Sequence, residues 1–526
     1  MMTNWLRGVR NRVLGTPTRR PRPRRRSARP LVEPLETRLA PATIAVTTTA
    51  DIGAPPGFLS LRDAIQIANV SLGPTEIDVP AGTYVLNGSG EATVGGSQLD
   101  LTKSVTIVGE GTVTIESSNG YRAFTVQGNV TATFENMTID GRNNAINEPG
   151  GAMMITGGAN VNLEGVTFRN NAVVGGTGAA AEGGALYIDD GAGTVALTNC
   201  TFSNNTATGG GGDPAQSGPS RGGSGEGGAV AIVHGQLQVS NSQFLDNAAT
   251  GGGAGPYADT SDGAWGGDGL GGAIYLGGSS TLAVTGGTFT GNQATGGRGG
   301  NGKDSGGYGG NAEGGAVETN SFFATTISQS NFGQNVALGG AAGVGQGSNS
   351  AEETGGDARG GAIDYATFAP LTLTGDTLDG NSAQGGAGSS EAVHGELQYG
   401  FTVFGGYGGY GGDAMGGAVS VITAPVTATG CTFELNGAFS GQGGAAYGGD
   451  AGSNGRAFGG GLYVADGGTV GGSTFLANGA YGGPHTGLLS GPDGTGPDGE
   501  AGAGGGAEGG ALYLDEGGLS VSGSAF

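Results

Sequence analysis

Acid–base chemistry on a substrate needs carboxylate, imidazole or cationic side chains gathered within hydrogen-bond reach of one atom. The chain carries 44 acidic residues, 21 basic ones and three His. Arg169 alone among the basic residues falls at a repeated strand position. Arg62, Lys103, Arg122 and Arg142 are scattered ahead of it, and His234, His394 and His485 share no position. No constellation emerges, so no catalytic and no cofactor-binding residue is assigned, and an enzyme is the lesser expectation. Metal chemistry fares similarly. Gly299-Gly300-Asn301-Gly302-Lys303-Asp304 matches the first six positions of a calcium nonapeptide. It occurs once, with Gly306 where a large aliphatic is required, so chance in a glycine-rich chain is the better reading and no metal ligand is assigned. Asp259, Asp262, Asp268, Glu352, Glu353 and Asp357 offer oxygen to loosely held Ca²⁺, although solvated loop charge is the default. Four tyrosines, Tyr187, Tyr275, Tyr463 and Tyr513, recur at an outward strand position. There they can bind sugar rings, lie under loops, or simply favour the strand.

The elements that would position these residues come from a repeat. The tetrad Gly-Gly-(Ala/Gly)-aliphatic occurs nine times, with its third residue at Ala152, Ala185, Ala229, Ala273, Ala316, Ala362, Ala418, Gly461 and Ala511. An aromatic follows 14 to 17 residues later: Phe168, Phe202, Phe244, Phe289, Phe332, Phe433, Phe475 and Phe526, with Leu378 standing in once. Three residues on stands Asn171, Asn205, Asn247, Asn292, Asn335, Asn381, Asn436 or Asn478. Apolar pairs two apart flank these positions, such as Ile274/Leu276 and Leu282/Val284, the period-2 mark of strands. Repeat spacing varies from 33 to 56, and all the variation lies after the Asn. Each repeat is therefore a fixed part of three short strands plus a glycine-rich loop, with all loops leaving at one edge and tolerating shortening.

A unit that cannot bury its own face must stack. The expectation is an all-β, right-handed parallel β-helix with an N-terminal capping helix and glycine-rich loop insertions. The Phe rings should form one buried column. The Asn amides should ladder from rung to rung, and the second Gly should mark a corner with no room for a Cβ. Ser60 is a helix N-cap for 60–69, with Leu61, Ala64, Ile65 and Ala68 on one face. Segments 75–86, 104–115 and 123–139 read as the first rungs. Cys200 and Cys431 sit at one inward position five rungs apart, roughly 24 Å at ~4.8 Å per rung. That is too far for a disulfide, so two buried, unpaired thiols are expected.

Gly-Gly-Ala-(Ile/Leu/Val) followed by Phe-x-x-Asn resembles the repeat of the polymorphic outer membrane proteins. That likeness implies a surface-exposed β-helix involved in adhesion. The chain ends inside its ninth repeat without that family's C-terminal β-barrel, so transport by its own barrel is not expected. Leu31-Val32-Glu33-Pro34-Leu35-Glu36-Thr37-Arg38 resembles the leader of large planctomycete surface proteins, which implies export. Ser60-Leu61-Arg62-Asp63-Ala64-Ile65 resembles the start of secreted right-handed β-helix proteins, with Leu59 where a Cys often stands.

Composition agrees with this outline. Glycine is 122 of 526 residues and does not fall at every third position, which excludes collagen. No apolar run is long enough for a membrane helix. Residues 1–42 hold eleven Arg and two Glu, and the rest carries a net charge of −32 out of the total −23. That acidic body argues against nucleic acid. The division expected is 1–42 an Arg-rich, disordered leader, 43–149 the cap and first rungs, and 150–526 nine repeats, the last truncated. The function expected is a non-enzymatic, monomeric cell-surface or secreted protein, outer membrane associated, adhesive or structural, whose partners are surface glycans or other cell-surface proteins. The alternatives are a polysaccharide-active lyase, hydrolase or epimerase on the same fold, and a Ca²⁺-stabilised repeat module.

Overall fold

The computed structural model describes residues 42–51, 56–87, 98–117, 120–141, 145–213, 220–255, 262–303, 305–345, 353–390, 407–446, 450–484 and 501–526. The Arg-rich leader, Arg142, His394, His485, Asp259, Asp304 and Glu352 lie outside them.

The chain winds as a right-handed parallel β-helix. Strands of successive rungs pair in parallel and in register: Ile274 with Val317, Val317 with Ile363, Ile363 with Val419. The rung built on Ala273 shows the pattern. Ile274–Thr285 carries both apolar pairs, Thr288–Thr290 carries the Phe, and Gln293–Thr295 follows the Asn. A short strand, Gly269–Leu270, precedes the Gly-Gly corner. Of these four segments the first in the chain falls within 251–270, a stretch whose glycine content reads as loop, and the first and last lie off the main sheet. They form two further sheets of eight and nine strands beside the thirty-stranded main system.

The core is a set of columns. Phe168, Phe202, Phe244, Phe289 and Phe332 stack with centroids 4.6–4.9 Å apart and planes within 7°. Leu378 interrupts the column, which resumes with Phe433, Phe475 and the exposed Phe526. The Asn ladder is equally regular. Asn247 Nδ2 donates to Asn292 Oδ1 at 3.0 Å and to the Phe202 carbonyl at 3.0 Å, and the Asn247 N–H also donates to Asn292 Oδ1. The residue before each ladder Asn is left-handed (Asn170 φ 54°, Asn204 φ 53°, Asp246 φ 52°), which explains the Asn, Asp and Gly found there.

The two corner glycines differ in purpose. The first adopts positive φ, 61° at Gly271. The second has no room: a Cβ on Gly272 would lie 2.1 Å from the Gly315 carbonyl oxygen one rung on. The cap is the helix Leu61–Val70, held by a Ser60/Asp63 capping box and burying Leu61, Ala64, Ile65 and Ala68.

Past the Asn ladder the tube narrows. Ala294, Ala337, Ala383 and Ala438 of one side sheet pack against Ala312, Ala358, Ala414 and Ala457 of the other. Cys200 and Cys431 are buried and unpaired, and burial pushes both thiols up to about 11. Unfolded, unreduced chain should titrate two thiols with a disulfide reagent, and native chain close to none. Phe289→Ala leaves a gap between two stacked rings and should cost ~3–5 kcal/mol, read as a lower denaturant midpoint.

Candidate functional site

Beyond the alanine neck the glycine-rich segments continue the stack as a fin. Among the described residues, successive repeats send out one limb and bring back another, many of them in triplets of Gly-Gly-x such as Gly296-Gly297-Arg298 and Gly309-Gly310-Asn311. Gly310 donates its N–H to Gly297 across the limbs, Gly340 donates to Gly310 one rung on, Gly356 to Gly340 and Gly386 to Gly356, each at 2.8 Å. Every third residue pairs instead along its own limb: Gly296 with Leu338, Gly299 with Ala341, Gly302 with Val344. Three residues per turn is the period of the polyproline II conformation, which leaves one face in three for side chains. A Cβ on Gly310 would stand 1.9 Å from the Gly267 carbonyl oxygen, so the glycines are a packing requirement. The base of each segment is therefore part of the fold, which confines any tolerance of shortening to the parts beyond it.

The third position of each triplet faces outward. On the outgoing limbs, Arg298, Leu338, Gln384 and the stacked pair Phe439/Tyr481 (4.8 Å) line a shallow groove of about 700 Å³. On the returning limbs the side chains are richer. Trp265 and Tyr308 pack edge to face at 5.2 Å and are half exposed, with the Arg221 guanidinium 5.5 Å from the Trp265 ring. Three residues inward runs a ladder in which Asp268 accepts the Asn311 N–H (2.8 Å), Asn311 the Asp357 N–H (3.0 Å) and Asp357 the Asp413 N–H (2.9 Å). Arg221 also binds Asp268 at 3.1 Å. These rings, carboxylates and amide surround a cavity of about 360 Å³.

Deeper still, the wall meets the first strand of the main sheet. Glu182, Glu226, Glu313 and Arg359 from the returning strands face Tyr187, Tyr275, Glu318 and Asp364. Arg359 Nη1 lies 3.0 Å from Glu313 Oε1. Burial raises the carboxyls of Glu318 and Asp364, and burial with the nearby Glu182 and Asp268 charges pushes Glu226 up to about 7. Sequence reasoning missed this grouping. Arg359 precedes its Gly-Gly corner, at the end of a glycine-rich segment whose composition reads as loop. Glu318 and Asp364 stand where other rungs place Tyr.

The other candidates are held structurally. Arg169 binds Asp140 at 2.7 Å, Arg62 binds Asp51 at 2.8 Å, and Arg122 binds Glu148 at 2.6 Å. His234 pairs with Asp189 at 2.7 Å across adjacent strands, both side chains half exposed. Asn301 of the nonapeptide match accepts the Val344 N–H, and Asp262 accepts the Ser305 hydroxyl. Glu353 is buried. The tyrosines do not make a platform. Tyr463 is buried, Tyr187 and Tyr275 are partly covered, and Ala231, Glu318, Asp364 and Ser420 interrupt their column. Among the described residues no helix is long and apolar enough to cross a membrane.

No protein-family model matches the chain, and no curated relative does. Solved structures similar to it include the ORF18 protein of Geobacillus virus E2 (12% identity, TM-score 0.27), where 83% of this chain spans 58% of that one. A rhamnogalacturonan lyase matches at 11% identity and TM-score 0.28, over 68% of this chain and 84% of that one. PfbA, a surface adhesin of Streptococcus pneumoniae, matches at 12% identity and TM-score 0.27, over 80% and 85%.

Gly310→Ala should destabilise the protein by about 1–3 kcal/mol or more, whereas Arg298→Ala, at an exposed third position, should stay within about 0.5 kcal/mol. Glu226 makes a pH prediction. Its folded pKa of about 7 lies above the ordinary 4.5, so the fold prefers it protonated. That stabilisation is complete at low pH and is lost as pH rises from about 4.5 to 7. Glu226→Gln should flatten that fall and be more stable than the parent at about pH 8, measured by thermal melts across pH.

Proposed function

We propose that this chain is a non-enzymatic cell-surface or secreted repeat protein of polymorphic-outer-membrane-protein type, adhesive in role, that holds neutral glycans against the returning face of the fin. The observation that carries the reading is the cavity between Trp265, Tyr308 and Arg221 on one side and Asp268, Asn311 and Asp357 on the other. The C–H face of a sugar ring stacks on an aromatic edge or face, while its hydroxyls meet carboxylate and amide groups. The rings sit on a hydrogen-bonded backbone layer, so little order is lost on binding. The net charge of −32 outside the leader opposes polyanionic uronates and favours uncharged sugars.

The alternative, a polysaccharide-active enzyme, draws on Glu313, Glu318, Asp364 and Arg359. Glu318 is 1% exposed and Asp364 0%, which keeps a substrate from touching them. The export-type leader supports an extracellular or outer-surface location.

A glycan array with the purified chain tests the proposal. Binding to neutral oligosaccharides is expected, with Trp265→Ala and Tyr308→Ala each weakening it about tenfold or more and Tyr275→Phe leaving it unchanged. Binding insensitive to both aromatic variants would move the site elsewhere. Shortening of a bound uronate chain would favour the enzyme.

A further inference from the structure

Glu313, Glu318 and Asp364 each offer a carboxylate oxygen, and these oxygens lie within 4.8 Å of one another. Glu318 and Asp364 are direct partners in adjacent rungs, and Glu313 reaches them from the strand before the same Gly-Gly corner as Glu318. Arg359 satisfies Glu313. It does not satisfy the other two. Glu318 Oε2 and both carboxylate oxygens of Asp364 are buried without a hydrogen-bond partner. So is the hydroxyl of Ser420, the next residue along the column after Asp364 and itself 0% exposed.

Buried oxygens without partners are costly, and ionised ones far more so. Counting Arg359, three ionised carboxylates leave two negative charges uncompensated, the charge of one divalent cation. The donors are all hard oxygens, with no thiolate or imidazole among them, as Ca²⁺ and Mg²⁺ require. Bonds of ~2.3–2.6 Å allow ligand oxygens on opposite sides of an ion to be up to ~5.2 Å apart, whereas ~2.0–2.1 Å bonds allow only ~4.2 Å. Oxygens that all lie within 4.8 Å of one another fall inside the larger ion's span, and Ca²⁺ also tolerates an irregular ligand set held by strands, whereas Mg²⁺ demands near-ideal octahedral geometry.

We propose that Glu313, Glu318 and Asp364, with the Ser420 hydroxyl, hold one hard divalent cation of Ca²⁺ size and thereby clamp three successive rungs at the root of the fin. The site is independent of glycan binding. It also differs from the exposed loop carboxylates, because Glu318 and Asp364 are buried, Glu313 is half-buried, and their oxygens lie within 4.8 Å of one another.

The test uses the purified full chain, stripped with EDTA and dialysed. Thermal melts are recorded while CaCl₂ or MgCl₂ is titrated in, and bound metal is counted by equilibrium dialysis with radiolabelled calcium. The melting temperature should climb with the logarithm of free Ca²⁺ and respond less to Mg²⁺, with one ion retained per chain. The double substitution E318Q/D364N should abolish the retained ion and the Ca²⁺-dependent rise. Should that variant fail to fold, Ser420→Ala, which removes one neutral ligand, should still weaken retention about tenfold or more. A parent melt indifferent to millimolar Ca²⁺ overturns the proposal. So does a Ca²⁺ response that persists in E318Q/D364N, which would assign it to surface carboxylates. A double variant more stable than the parent, in a chain that retains no ion, would mean that the cluster carries shared protons instead.

Discussion

Each rung of this protein must sit about 4.8 Å above the one before, because that is the spacing at which parallel strands hydrogen-bond. Everything inside the tube inherits that spacing. A side chain at one rung position meets its counterpart above and below, so each position must hold something that packs well against copies of itself. Phenylalanine does so with parallel rings 4.6–4.9 Å apart. Asparagine does so because its amide both donates and accepts along the axis, as between Asn205 and Asn247 at 2.9 Å. At the corner only hydrogen fits, because the neighbour there is a carbonyl oxygen, Gly228 for Gly184 and Gly272 for Gly228.

The same constraint explains the glycine content. Across each rung the interior thins from Phe to Asn to facing alanines, and finally to glycine against glycine. Two limbs that close must satisfy their backbone groups through each other, since water is excluded between them. The triplet conformation does this with two positions in three and spends the third on a solvent-facing side chain. The fin is thus a rigid display surface. Its chemistry is set by which residue occupies the third place: Trp265 and Asp268 in one rung, Tyr308 and Asn311 in the next.

Charge enters where the columns lose their uniformity. Tyr187 and Tyr275 give way to Glu318, Asp364 and Ser420 at the same outward position. Like carboxylates whose oxygens lie within 4.8 Å of one another in a closed corner cannot all remain ionised without a counter-charge. Arg359 supplies one such charge, beside Glu313.

The amino-acid sequence alone determined the period, the β-helix, the Phe and Asn columns, the capping helix at Ser60–Asp63 and the separation of the two cysteines. These are one-dimensional facts: a residue demanded in every rung announces itself at a fixed offset. The left-handed sites before each ladder residue went unread, because Gln334, Leu435 and Ala477 occupy them as well as Asn170, Asn204 and Gly291. The fin was written in local Gly-Gly-x triplets such as Tyr407-Gly408-Gly409-Tyr410-Gly411-Gly412-Asp413. Their partners lie on other limbs and other rungs, so composition made them look like filler. The Trp265/Tyr308 cavity and the Glu313/Glu318/Asp364 cluster were decided by tertiary structure. Glu313 and Glu318 meet because the chain reverses at one glycine corner, and Asp364 joins them from 46 positions further on. Only the closing of the coil turns that distance along the chain into one step along the axis.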